Sequence, residues 1–165
     1  VPGDDVYPSA LDLMSNSAAP RAVDTSRLDG PMPLAIDLYD VGWLPPDQAR
    51  VLERGAAVDL ELSPREAASG TRLVLLPVSD HRVLAIELLQ PTGYDDHLPA
   101  AGVAVHEVDD SAGTDVLRVQ LPVHTSIAPF THLLQTGDVL ERDGWRIEVR
   151  TVGATARLAV AATDG

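Results

Sequence analysis

The side chains able to do chemistry are few in kind. The chain carries five histidines (His81, His97, His106, His124 and His132), 25 Asp and Glu residues and no cysteine. Without Cys there is no disulfide, no Cys-zinc site and no thiol nucleophile. No two histidines stand four apart on a helical stretch, and no His-Glu-x-x-His occurs, so two ligands are never delivered on one helix face. A catalytic zinc needs three protein ligands converging within ~2.0–2.2 Å, which dispersed histidines do not predict. His81, His97 and His124 fall in turns or at strand ends, and a solvated polar residue is the expectation for every histidine here. There is no Gly-x-Ser-x-Gly elbow, and the absence of Lys removes a phosphate loop. Carboxylates cluster in two loops, Asp95-Asp96 and Asp109-Asp110 with Asp115. Such loops can collect oxygen ligands for calcium, although the spacing is not that of an EF-hand. The residues themselves therefore predict no catalytic group and no zinc in this chain, with calcium the metal its acidic loops suit.

Composition narrows the partners. At 165 residues and 45% hydrophobic, the chain suits one globular domain or two small ones with a core of their own. All 12 basic residues are Arg and the net charge is −13. That surface repels phosphate backbones and anionic lipid, so neither nucleic acid nor a membrane is the expected partner. No apolar run reaches the ~18 residues of a membrane span, and no charged-then-apolar leader stands at the front. The chain opens Val1-Pro2-Gly3 without Met, and the expectation is a processed product or an excerpt.

The elements that must hold these residues follow from the hydrophobic period. Residues 1–33 are rich in Pro, Ser, Ala, Asp and Gly without sustained periodicity, and predict an extended segment laid over a neighbouring surface. Residues 33–42 predict a short helix: Leu34, Leu38 and Val41 share a face, with Pro33 at the start and Gly42 at the stop. Trp43 to Pro46 turn the chain, and Asp47 caps a short turn through Val51. From Ala56 the period becomes that of strands. Val58–Leu62 alternates, whereas Leu73–Val78 and Val83–Leu89 are nearly continuous apolar runs and predict central strands. Ser79 to Arg82 predicts a tight hairpin between them. Val103–Val108, Val116–Leu121, Asp138–Glu141, Trp145–Thr151 and residues 155–161 complete the set. Asp143-Gly144 predicts a hairpin turn with Gly144 at positive φ, and Trp145, Ile147 and Val149 on one face. The short linker predicts that 103–108 pairs with 83–89. The expected fold class is mainly β: an antiparallel β-sandwich over residues 54–165, preceded by the extended segment and helix of residues 1–53. Trp43 and Trp145 sit beside apolar partners and are expected as core or interface anchors.

One stretch is more specific than its composition. Leu84 to Asp109 contains a strand bearing Glu87, then Gly93-Tyr94-Asp95, Leu98-Pro99, and Gly102 leading an apolar strand to Val108-Asp109. It resembles a segment of the immune-inhibitor-A-like (M6-type) secreted metallopeptidases, with Gly93 and Gly102 expected to permit bends. Upstream, Asp12-Leu13-Met14-Ser15 resembles the Met-containing turn that follows the zinc helix in that family. Gly42-Trp43-Leu44 resembles the exit of its next helix. The blocks run in the family's order over roughly residues 6–150. The sequence departs from the pattern at Val41, Leu89 and His106-Glu107, and no His-Glu-x-x-His helix precedes Met14.

The resemblance implies that residues 1–53 are the end of a metallopeptidase catalytic domain. Met14, with Asp12 and Ser15 beside it, would support the zinc site from below and bind no metal; without the resemblance, Met14 is an ordinary core-filling Met. It implies a secreted, non-catalytic C-terminal portion that packs on the N-terminal catalytic portion of the same protein. In the full-length enzyme a zinc-activated water would attack a protein or peptide substrate, with the Glu of the missing motif as base. The alternative is a stand-alone β-sandwich module that contacts protein or glycan without catalysis.

Overall fold

The computed structural model describes Leu11 and residues 32–96, 98–113, 117–121 and 133–163. Among the described residues one α-helix, α1 (Ala35–Asp40), precedes nine strands. These are β1 (Ala49–Val51), β2 (Ala57–Leu62), β3 (Leu73–Pro77), β4 (Arg82–Leu89), β5 (Gly102–Asp109), β6 (Leu117–Leu121), β7 (Val139–Arg142), β8 (Trp145–Val152) and β9 (Ala156–Ala162). They form a five-stranded sheet in the order β1-β3-β4-β5-β6 and a four-stranded sheet in the order β2-β9-β8-β7. The mainly β, sandwich-like fold expected from the strand pattern is the one observed. The expected pairing of β4 with β5 is present, with Val83 opposite Val108 and Leu88 opposite Val103.

β1 is the strand the sequence does not announce. A turn is expected through Val51, but only Pro46–Gln48 turn, and Ala49–Val51 then pair in parallel with Leu73–Leu75. Three residues are too few to show a period. This strand lies ahead of residue 54 and is hydrogen-bonded into the five-stranded sheet all the same.

Side-chain alternation divides the apolar residues between two cores. Leu84, Ile86 and Leu88 of β4 face the four-stranded sheet, where they meet Trp145, Ile147, Val149, Leu158 and Val160. Ala85 and Leu89 face the other way, beneath Leu34, Ala35, Ile36 and Leu38 of the N-terminal segment, with Leu11 in the same cluster. The five-stranded sheet is thus covered on both faces, which accounts for the continuous apolar runs of β3 and β4. Each fully buried Leu or Ile contributes roughly 1.5–3 kcal/mol relative to exposure.

Local signals hold with two exceptions. At the β7–β8 turn Asp143 has φ 51° and Gly144 φ 81°, the paired positive values of a type I′ hairpin. Between β3 and β4 the Val78 N–H donates to the Arg82 carbonyl at 2.9 Å. The first exception is the end of α1, where Val41 is 60% exposed. The helix stops at Asp40, and the Trp43 and Leu44 N–H groups both donate to the Leu38 carbonyl, at 2.7 and 2.9 Å. That wrap turns Leu44 inward and leaves Trp43 outside at 76% exposure, whereas Trp145 is core. The second is Gly102, which has no positive φ. A Cβ there would lie 2.5 Å from Leu133 Cβ and 3.3 Å from the Leu134 carbonyl oxygen. Glycine serves here for close approach: Val103 exchanges two backbone hydrogen bonds with Leu134, at 2.8 and 3.0 Å.

Candidate functional site

A glutamate inside a strand buried on both faces must find a cation or take up a proton. Glu87 of β4 is such a residue. On the face of the sheet beneath α1, its Oε2 stands 3.5 Å from Nη1 of Arg65 and accepts the Ala35 backbone N–H at 3.1 Å. Arg65 lies in the loop between β2 and β3, tethered by its own N–H to the Leu88 carbonyl at 3.0 Å. Its Nη2 pairs with Oδ2 of Asp95, which sits in a short 3-10 turn between β4 and β5. Asp95 Oδ1 in turn accepts the Met32 N–H at 3.4 Å. Arg65, Glu87 and Asp95 are exposed by only 1, 2 and 3%.

The loop that carries Arg65 is braced from behind. Arg72 donates through Nε to the Arg65 carbonyl at 2.6 Å and through Nη1 to Gln48 Oε1 at 2.9 Å. Gln48 Nε2 donates to the Ala68 carbonyl at 3.0 Å. Burial drives the Glu87 carboxyl up to about 7, against the pull of Arg65 and the Ala35 N–H, with Asp95 and Asp37 adding to the rise. Two carboxylates and one guanidinium, closed off from water, therefore bind the backbone of the segment that precedes the sandwich. The chemistry open to them is proton uptake and backbone recognition.

His106 and Gln120 form a second buried polar row on the same sheet face, opposite each other across β5 and β6. They are exposed by 1 and 3%. Among the described residues the Gln120 amide has no hydrogen-bond partner. His106 departs from the solvated histidine expected of it, because strand alternation turns it under the covering layer. His81 does meet that expectation: its Nδ1 lies 2.9 Å from Asp110 Oδ1 and its side chain is 64% exposed. The pair stands on the rim of an open groove of about 540 Å³ between α1 and the β3–β4 turn, with Ile36, Tyr39 and Val51 along its walls.

Of the acidic residues noted as calcium candidates, the four described ones fall in two separate groups. Asp95 pairs with Arg65, and Asp96 follows it in the same turn. Asp109 and Asp110 lie at the far end of β5, and Asp109 Oδ1 accepts the Ser111 N–H at 2.8 Å. The two groups lie before the start and at the end of β5, a strand roughly 23 Å long. Among the described residues no three His, Asp or Glu side chains converge as metal ligands. Asp12, Met14, Ser15, His97, Asp115, His124 and His132 lie outside the described residues.

Arg65 and Glu87 were not legible as a site. The signal for Glu87 was its place inside an apolar run; Arg65, in a polar loop, had none. No protein family, curated protein or solved structure matches the chain.

Proposed function

We propose that this chain is the non-catalytic C-terminal portion of a secreted zinc endopeptidase of the immune-inhibitor-A-like type. Its sandwich packs on and supports the catalytic portion that precedes it. The motif order across residues 6–150 supports the family. The structural observation that carries the supporting role is the seat of residues 32–44 on the five-stranded sheet. Leu34, Ala35, Ile36, Leu38 and Leu44 are buried there, and the Ala35 N–H is received by Glu87. A sheet face shaped to hold the polypeptide ahead of it is suited to anchoring what that polypeptide belongs to.

The described residues do not fit a zinc site, since no three potential ligands converge. The reading therefore puts the metal's ligands in a His-Glu-x-x-His helix upstream, with Met14, Asp12 and Ser15 as its support. The protein or peptide substrate belongs to the whole enzyme, and the setting is outside the cell.

Two measurements test this. Reading the encoding gene upstream of Val1 should find His-Glu-x-x-His a short way ahead. A start codon and signal peptide directly before Val1 would favour the stand-alone module that contacts protein or glycan. The isolated chain, purified without chelator, should carry no stoichiometric zinc by mass spectrometry and should not hydrolyse casein. Bound zinc together with chelator-sensitive proteolysis would overturn the non-catalytic role.

A further inference from the structure

We propose that Arg65, Glu87 and Asp95 form a proton-operated clamp on residues 32–40: a proton held by the carboxylate pair fastens the segment to the sheet, and its loss loosens it. The clamp uses only residues of this chain and works the same way whatever precedes them.

The charge balance of the cluster is the first argument. One buried guanidinium faces two buried carboxylates. Beside them, Arg72 is spent on Gln48 and the Arg65 carbonyl and lies near the charge of Glu66. Within this buried trio one positive charge meets two negative ones, so one proton brings it to neutrality. Burying an uncompensated carboxylate is strongly disfavoured, because nothing replaces its lost hydration.

The unequal grip of Arg65 locates that proton. Arg65 holds Asp95 closely through Nη2 but stands 3.5 Å from Glu87, with Nη1 making no hydrogen bond among the described residues. Glu87 is the less satisfied carboxylate, and its protonated form still accepts the Ala35 N–H. When Glu87 is ionised, the direct way to hydrate it is to lift the layer above it. That layer is a six-residue helix with no side-chain cap.

The sign follows from linkage. Docked, Glu87 titrates at about 7; released into water, it returns toward 4.5. Between those values the docked state binds more protons, so docking weakens as pH rises through 7. Among the described residues, Asp95 and Asp37 act on Glu87, and His106 on the same face of β5 is a further buried titratable group.

Native-state amide exchange of the full chain tests the clamp, read at Ala35 and corrected for intrinsic exchange. Protection should fall about tenfold between pH 6 and pH 8. In Glu87→Gln, which keeps an acceptor for the Ala35 N–H and cannot ionise, protection should be level over the same range. A level profile in the unaltered chain overturns the clamp. The same slope in Glu87→Gln overturns it as well and assigns the titration to another group such as His106. Should Glu87→Gln fail to fold, the carboxyl carbon shift of Glu87 in the unaltered chain decides. A midpoint near 7 supports the clamp, and one below about 5, the ordinary carboxylate range, sinks it.

Discussion

Asp143 Oδ2 lies 3.0 Å from Arg82 Nη2, although 61 positions separate the two residues along the chain. Asp143 sits in the turn of the four-stranded sheet and Arg82 begins β4 of the five-stranded one. Glu107 and Arg142 close the contact into a ring. Arg82 Nε donates to Glu107 Oε1 at 2.9 Å, Arg142 Nη2 to Glu107 Oε2 at 2.8 Å, and Arg142 Nε to Asp143 Oδ2 at 2.9 Å. Charges alternate around the ring, and the hydrogen bonds to Glu107 hold both guanidiniums above their usual range. The ring laces the two sheets together at one edge of the sandwich.

Its energetic weight should be modest, because these side chains are 14–43% exposed and solvent screens them. A double-mutant cycle on Arg82→Ala and Asp143→Ala, followed by urea denaturation, should give a coupling of about 0.5–1 kcal/mol. High salt should shrink it. Additive single effects would mean the ring adds nothing to stability.

The turn beside it sets a steeper constraint. Gly144 has φ 81° with no heavy atom closer than 3.9 Å to an added Cβ, so substitution there meets backbone strain and not crowding. Gly144→Val should destabilise the chain by at least ~1 kcal/mol, read as a lower melting temperature. An unchanged melting temperature would speak against a type I′ turn.

Gly102 fails for the opposite reason. An added methyl would press on Leu133 Cβ at 2.5 Å and on the Leu134 carbonyl at 3.3 Å, while the backbone itself is unstrained. Gly102→Ala should cost about 1–3 kcal/mol by overpacking. Amide exchange at Val103 and Leu134, which bond each other, should rise more than at Ile147. Uniform loosening at all three would argue against a local clash.

Arg65 is the residue whose removal should hurt most. Arg65→Met leaves Glu87 and Asp95 buried without their cation, at a cost of about 3–5 kcal/mol in denaturant midpoint analysis. Adding Glu87→Gln to Arg65→Met should recover part of that loss, because one orphaned carboxylate disappears. A double variant no better than Arg65→Met would mean that the charge of Glu87 is not what Arg65 offsets.

Much of the fold was legible in the sequence because it depends on short-range periods. Alternation and turn chemistry placed the strands from β2 to β9, the Asp143-Gly144 turn and the shared face of Trp145, Ile147 and Val149. The continuous apolar runs of Leu73–Val78 and Val83–Leu89 marked the strands covered on both faces. These signals belong to residues that are neighbours in the chain, so packing had only to agree with them.

What the tertiary structure alone decided involves partners far apart in sequence. Glu87 and Ala35 are 52 positions apart, and Arg65 and Asp95 are 30 apart. No local pattern in a loop carboxylate such as Asp95 tells whether it will meet water, a metal ion or a buried guanidinium. That outcome is set by which loops converge when the sheet closes. The same holds for β1, three residues made a strand by an edge already formed, and for Trp43, turned outward by the wrap that ends α1. Periodicity decides which face of an element is buried; only the packed chain decides which charges are shut in together, and so where a proton is held.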